Sequence, residues 1–146
     1  MKLVIEYVKN ATVKSGEKTN KIGEGLLVYV GVMQDDIERP EVLDKVAKKL
    51  ANLRIISDEN GKIDKSLKDT NGQILLISNF TLGGRNSKGN KLDFLHSANF
   101  EEAKEIFGKL VNELEKYELA VKTGFFGEHM EVSHTKLGPL TYFLEF

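Results

Sequence analysis

The sequence has no cysteine, and only two of its 146 residues are prolines. Without cysteine there can be no disulfide, cysteine-ligated zinc, iron–sulfur cluster or thiol nucleophile, and a reducing compartment fits this. Long apolar runs are also missing, since the longest, Leu26 to Met33, falls far short of the roughly 20 residues that cross a bilayer. The N-terminus lacks the uninterrupted apolar region of a signal peptide. We therefore expect a cytoplasmic protein that has no contact with membranes.

An excess of charge of either sign is missing too. The chain has 21 Lys and Arg against 22 Asp and Glu, so no global attraction draws it to nucleic acid, and a polyanion would have to meet a local basic patch. With 40% hydrophobic residues, 29% charged residues and no low-complexity tract, the composition is that of a globular protein. Its length predicts a single domain over residues 1–146.

The apolar pattern predicts an α+β fold with roughly six or seven strands and two amphipathic helices. Strand-like segments rich in β-branched and apolar residues are 2–8, 11–14, 26–32, 73–78, 119–123, 131–135 and 140–146. The run 26–32 is apolar throughout, which is typical of a central strand covered on both faces. Pro40 suits the first position of one helix, which continues to Leu53. Asn99 suits the N-cap of the other, which we expect to end near Tyr117.

The segment Ser78-Asn79-Phe80-Thr81-Leu82 joins a buried strand to a glycine-rich basic loop. Where a strand breaks, consecutive backbone N–H groups leave the ladder and can converge on one oxygen, which is how an oxyanion hole is built without catalytic side chains. The same residues also fit an ordinary strand end whose hydroxyls cap a turn. Both interpretations stay open on this pattern alone.

The loop that follows, Gly83 to Phe94, does not have the spacing of a nucleotide-binding P-loop. Its cations Arg85, Lys88 and Lys91 can contact a phosphodiester backbone in a sequence-independent way, or can simply be solvated.

The sequence gives little support for a catalytic triad or a metal site built from side chains. The chain has no Gly-x-Ser-x-Gly motif and only three histidines, His96, His129 and His134. The last two are five residues apart in a strand-like region, so they point to opposite faces and cannot share a metal. We predict no metal and no cofactor. Gly138-Pro139, which holds the second of the two prolines, is ambiguous on its own because it also fits a simple turn.

Several segments carry a resemblance along the whole chain: Ile22 to Val28, Lys48 to Ile55, Ser78 to Leu82, Lys88-Gly89, Thr123-Gly124, Phe126-Gly127 with Met130, and Gly138-Pro139 with Thr141. In their order and spacing the sequence resembles the D-aminoacyl-tRNA deacylases over essentially all of its length. The resemblance implies that family's fold, a mixed and barrel-like sheet with two helices. It also implies a homodimer in which a cis Gly138-Pro139 peptide, with Met130, completes the partner's site beside residues 78–81.

The family cleaves the ester between a D-amino acid, or glycine, and the 3′-terminal adenosine of tRNA, and is thought to exclude L-amino acids through the Gly-Pro carbonyls. The implied partners are tRNA and a second copy of the chain, with no DNA. Our mechanistic hypothesis is that backbone N–H groups near Phe80 and Thr81 hold the carbonyl oxygen while the RNA 2′-hydroxyl helps to position water. Ser78 and Asn79 complete the predicted catalytic segment, and Thr81 has a positioning role.

Three residues depart from the family pattern: Asn79 replaces the usual Gln, Tyr7 an Arg of the first strand, and Lys136 an Asn. They concern the implied chirality filter, so two alternatives stay open. One is a tRNA-binding dimer without turnover, and the other is an editing-type deacylase with relaxed chirality.

Overall fold

A computed structural model describes residues 1–86 and 89–146 of the chain. Its strands are β1 (Lys2–Ser15), β2 (Lys18–Ile22), β3 (Gly25–Gly31), β4 (Ile56–Ser57), β5 (Ile63–Lys65), β6 (Gln73–Ser78), β7 (Ala120–Thr123) and β8 (Glu131–Glu145). Its α-helices are α1 (Glu41–Asn52), α2 (Leu67–Thr70) and α3 (Phe100–Glu115). The α+β class is confirmed, while the expected counts were slightly low. The predicted segments 2–8 and 11–14 form the single strand β1. The additional elements are β2, which is mostly polar, and β4, β5 and α2, which are too short to leave a periodic pattern.

The main sheet has six strands and is organised by β1. One edge of β1 pairs antiparallel first with β3 and then with β2, while β8 runs antiparallel along its other edge. From β3 the sheet continues through parallel pairs to β6 and β7, so β3 is central, as predicted. The Asn20 amide of β2 donates a hydrogen bond of 2.8 Å to the Thr123 carbonyl of β7. Because β2 and β7 end the strand order, this bond shows that the sheet curls toward a barrel.

The helices cover one face of the sheet. Alternate strand residues such as Leu26, Val28 and Leu76 are buried there together with the apolar stripes of α1 and α3. Helix α3 begins as predicted: Asn99 Oδ1 accepts the Glu102 N–H at 3.0 Å, and the Asn99 amide donates to the Glu102 carboxylate at 2.6 Å. Pro40 lies one position earlier than predicted, because it is the N-cap of α1 rather than its first helical residue.

Strand β8 contains a wide bulge. The sequence pattern predicted two strands here, but the structure has one, in which Thr141 pairs with Glu6 and Lys136 pairs with Val8. Residues 137–140 therefore lie opposite the single residue Tyr7 and leave the ladder. The Gly138-Pro139 peptide in this bulge is cis, as the resemblance implied, and Gly138 has a φ of +113° that disfavours a side chain.

The start of β1 is held by a buried ion pair. The Met1 α-ammonium lies 2.6 Å from Asp36 Oδ1, and both groups are almost fully buried. The other carboxylate oxygen accepts the Met33 N–H at 2.7 Å, and the ammonium also donates to the Phe146 carbonyl at 3.0 Å. A charge pair at this depth is stable only because these bonds replace its lost hydration.

Within residues 1–86 and 89–146, no helix combines the length and the apolar character needed to cross a bilayer.

Candidate active site

The site begins where β6 ends. Ser78 still pairs with Val30, and the Asn79 N–H donates to the Val30 carbonyl at 2.8 Å. The chain then turns into a 3₁₀ helix, Phe80–Gly83, so the following N–H groups leave the sheet ladder. This is the strand break that the sequence predicted.

Asn79 decides which of the freed donors is available. Its side-chain oxygen accepts the Thr81 N–H at 3.2 Å and the Thr81 hydroxyl at 2.5 Å. The Thr81 N–H is therefore engaged within its own turn. The Phe80 N–H has no hydrogen-bond partner among the residues that the structure describes, which leaves it as an available donor at this turn.

A cavity of about 540 Å³ opens beside this turn. Four of the predicted site residues line it: Ser78, Asn79, Phe80 and Met130. The remaining lining residues are Val32, Phe94, Ser97, Ala98, Phe100, Ala103, Phe126, Gly127 and Glu128. Thr81 and the Gly138-Pro139 bulge are absent from the described lining of the chain's own cavity. Met130 differs from the expectation: the resemblance implied that it acts with the bulge on the partner's site, but it lines the cavity of its own chain.

Aromatic rings form much of the cavity wall. Phe80 packs edge-on against Phe94, with ring centroids 5.1 Å apart, and Phe100 packs edge-on against Phe126 at 5.3 Å. Phe80 and Phe100 remain 58% and 54% exposed, which is high for this residue type. The Ser97 hydroxyl donates to the Phe80 carbonyl at 2.9 Å and so ties the Phe80 turn to a second lining residue of the cavity.

Sequence reasoning did not assign these walls to the site. The one available signal was Phe100, which directly follows the Asn99 N-cap and lies outside the apolar stripe of α3. An aromatic residue without a place in the core indicates a surface that contacts something else.

Met130 also lines the cavity, and its side chain packs closely against the backbone of residues 124 and 125. Its sulfur accepts the Phe125 N–H at 3.2 Å. A Cβ on Gly124 would lie 2.8 Å from the same sulfur, so only glycine fits there without displacing Met130.

Glu128 is the one ionisable residue in the described cavity lining. The Lys18 ammonium and the Ser15 hydroxyl both donate to its carboxylate, and these bonds hold the pKa of Glu128 below the ordinary value. The carboxylate is therefore ionised at neutral pH.

Among the described residues, no hydroxyl of the site donates a hydrogen bond to a base. The hydroxyls of Thr81 and Ser97 donate to an amide and a carbonyl oxygen. His134 lies away from the cavity, with Nε2 2.9 Å from Glu6 Oε2, and the described part of the chain contains no cluster of three potential metal ligands. The arrangement can therefore bind and polarise a substrate, but it does not form a covalent-catalysis triad.

The predicted basic loop, residues 83–94, follows the Phe80 turn along the chain. Arg85 and Asp93 exchange two backbone hydrogen bonds of 2.9 Å, which join the two ends of the loop, and Lys91 is exposed. The third predicted cation, Lys88, lies outside the described residues.

Comparison with known proteins decides the family. Residues 4–145 match the sequence profile described as D-Tyr-tRNA(Tyr) deacylase. The chain belongs to this deacylase family. Curated relatives named D-aminoacyl-tRNA deacylase include those of Thermosipho africanus, 44% identical, and Kosmotoga olearia, 42% identical. Each alignment covers 99% of this chain and 97% of the relative.

Solved structures share the deacylase fold. A structure titled c-Myc DNA Unwinding Element Binding Protein matches with a TM-score of 0.90 and 36% identity, covering 100% of this chain and 99% of the other. Another, titled as a probable eukaryotic D-amino acid tRNA deacylase, matches with a TM-score of 0.84 over 98% of this chain and 97% of the other. At 16% identity, this second structure supports the fold alone.

Proposed function

We propose that this chain hydrolyses the ester between a D-amino acid, or glycine, and the 3′-terminal adenosine of tRNA, in the cytoplasm. The observation that carries the proposal is the available Phe80 N–H beside an aromatic cavity, in a chain of the deacylase family. A cavity of this size suits a nucleoside with an attached amino acid, and its rings suit stacking on a base.

The chemical step needs little from side chains. Water adds to the ester carbonyl carbon, the carbonyl oxygen becomes an oxyanion, and the bond to the 3′-oxygen then breaks as that oxygen takes a proton. The Phe80 N–H is the donor for the oxyanion, while Asn79 holds the turn through its bonds to Thr81. The sequence also predicts that the Thr81 N–H contacts the oxyanion, and in this structure that group can do so only if it leaves Asn79.

The water is positioned by the substrate itself. The 2′-hydroxyl of the terminal ribose neighbours the ester and can both donate and accept a hydrogen bond. Thr81 and Ser97 stabilise the walls rather than attack, because their hydroxyls are committed to oxygen acceptors.

Chirality is read by a second copy of the chain. Gly138 and Pro139 are exposed and absent from the described lining of their own chain's cavity, which agrees with their acting on a partner's site. Inverting the substrate α-carbon would swing its side chain into this rigid backbone, and a steric clash rejects a ligand more firmly than a missing contact does.

The tRNA backbone is contacted by the basic loop. We assign its phosphate contacts to Arg85 and Lys91, and to Lys88, which lies outside the described residues. Reversing the charge at both Arg85 and Lys91 should flatten the salt dependence of tRNA binding. An unchanged dependence of the binding constant on salt concentration would show that the basic loop is not part of the interface.

The first test is single-turnover hydrolysis of matched D-Tyr-tRNA and L-Tyr-tRNA at enzyme excess. Cleavage of the D form alone is expected. Cleavage of both would mean that the Gly-Pro filter is open. Cleavage of neither, with tRNA still bound, would favour the binding protein over the enzyme.

A second test isolates the backbone donor by comparing Phe80→Pro with Phe80→Ala. Both variants lose the ring, but only proline removes the N–H. Proline is compatible with the first helical position, and Asn79 before it is extended, with φ −143° and ψ 92°. Phe80→Pro should lower kcat by about 10²–10³ relative to Phe80→Ala, the usual loss for an oxyanion donor. Equal rates for the two variants would contradict the assignment.

A further inference from the structure

One side chain spans the base of the β8 bulge. Lys136 precedes the bulge and Thr141 follows it, and the Lys136 ammonium donates a hydrogen bond to the Thr141 hydroxyl. The same ammonium lies 2.9 Å from Glu6 Oε1 on the adjacent strand β1. These contacts tie both ends of the bulge to one carboxylate in the sheet.

Glu6 is a well-placed anchor for this cation. Its side chain is only 14% exposed, and its second oxygen lies 2.9 Å from Nε2 of His134. Charge-assisted hydrogen bonds are among the strongest in proteins, and partial burial strengthens them further. Burial and the Glu6 charge together also raise the pKa of the Tyr29 phenol on this face.

Tyr7 is the residue opposite the bulge, but its polar group is committed elsewhere. Tyr7 is 5% exposed, and its hydroxyl donates to the Glu24 carboxylate. Consecutive residues of a strand point to opposite faces, so Tyr7 and Glu6 do not act on the same side of the sheet. Within the described residues, Lys136 is thus the cation that bridges the two flanks of the bulge.

We propose that Lys136 is a positioning residue that, through Glu6 and Thr141, holds the Gly138-Pro139 segment in the geometry that discriminates D from L substrates. The inference rests on the proposed function of that segment. A clamp of this kind explains how a chain with Tyr7 in the first strand and Lys136 directly before the bulge retains a defined turn.

The test compares Lys136→Met and Thr141→Val with Lys2→Met. Thr141→Val removes the far end of the clamp while Glu6 keeps Lys136 and His134, so it avoids leaving a carboxylate without partners. Lys2→Met is the matched control, because Lys2 and Glu145 form an ion pair of 3.9 Å between the same two strands, away from the bulge.

Two quantities are measured for each variant: the ratio of kcat/KM for D-Tyr-tRNA to that for L-Tyr-tRNA, and the amide hydrogen exchange of a peptide covering residues 136–142. Both clamp variants should lower the D-to-L ratio at least about tenfold, the factor that corresponds to losing a hydrogen bond to a charged group. Both should also speed exchange in that peptide. The combined variant should be less than additive, since the two changes remove one interaction.

An unchanged D-to-L ratio and unchanged exchange in the clamp variants would overturn the proposal. So would an equal loss on both substrates that merely follows a lowered melting temperature, because it would show a structural role only. If the unsubstituted protein cleaves neither substrate, the proposed function fails, while the exchange measurement still decides whether the clamp holds the bulge.

Discussion

The two faces of the sheet are buried to different degrees. The face toward α1 and α3 is closed by a large apolar core in which Leu50 and Leu110 are fully buried. The opposite face has a smaller apolar cluster that includes Val8 and Leu75. Beside it lie the charged Glu6 cluster and Phe143, whose ring is 57% exposed.

This contrast teaches where the stability of the single chain and where its proposed contacts with a second copy reside. A single chain completes the helix-covered face by itself, so changes there act on folding. The open face offers apolar and charged groups together, which is the composition of an interface with a polar surround. The proposed partner contacts, including the Gly138-Pro139 bulge, belong to this second category.

The largest effect is expected for the buried ion pair at the edge of the helix-covered face. Asp36→Ala leaves the Met1 ammonium buried without its partner and should lower the free energy of unfolding by about 3–5 kcal/mol. Denaturant unfolding measures this. Glu145→Ala, which breaks the exposed pair with Lys2, is the control and should cost less than about 1 kcal/mol. A similar loss of unfolding free energy in both variants would contradict the contrast between the buried and the open regions.

A smaller effect on stability, but a large one on assembly, is expected for Phe143→Ser on the open face. The free energy of unfolding of the isolated chain should change by no more than about 0.5 kcal/mol, because the ring is already exposed. The dimer dissociation constant should rise about tenfold or more if this ring is buried between two copies. Sedimentation at several concentrations measures the dissociation constant.

Ile63→Ser is the matched control for Phe143. Ile63 is also exposed, at 42%, but lies in the separate hairpin of β4 and β5. It should leave the dissociation constant unchanged. An equal shift for both variants would mean that surface hydrophobicity in general, and not the open face, drives association.

The smallest effect concerns pH. The folded-state pKa of Glu128 lies below its ordinary value of 4.5, because Lys18 and Ser15 donate to the ionised form. Its contribution to stability is therefore present above the unfolded-state pKa and is lost as the pH falls through the lowered folded-state value. Glu128→Gln should flatten the acid side of the stability curve slightly. An unchanged acid limb would show that the Lys18 contact has no energetic weight.

Sequence patterns predicted the long, periodic elements well. The stripes of α1 and α3, the apolar run of β3 and the Asn99 cap follow from local rules, so their positions are confirmed to within about two residues, the usual margin at helix ends. Strand β2, whose sequence KTNKI is mostly polar, has no apolar pattern, and the local signal for it is the turn at Gly16, across which it pairs with β1.

The site was only partly predictable for a similar reason. The break after Ser78 is a local feature and was found from the sequence. The walls formed by Phe94, Phe100 and Phe126 come from three separate segments that only the tertiary fold brings together. The occupation of the Thr81 N–H by Asn79 depends on a side-chain rotamer, which no spacing rule can specify.

The available Phe80 N–H has a consequence for which substitutions this protein can accept during evolution. A donor supplied by the main chain is the same in nineteen of the twenty amino acids, so ordinary substitution at that position cannot delete it, with proline as the exception. Reagents that label activated serine or cysteine should likewise find no target in the cavity. A non-cleavable amide that mimics the 3′-terminal aminoacyl adenosine is the kind of molecule that such a centre would bind.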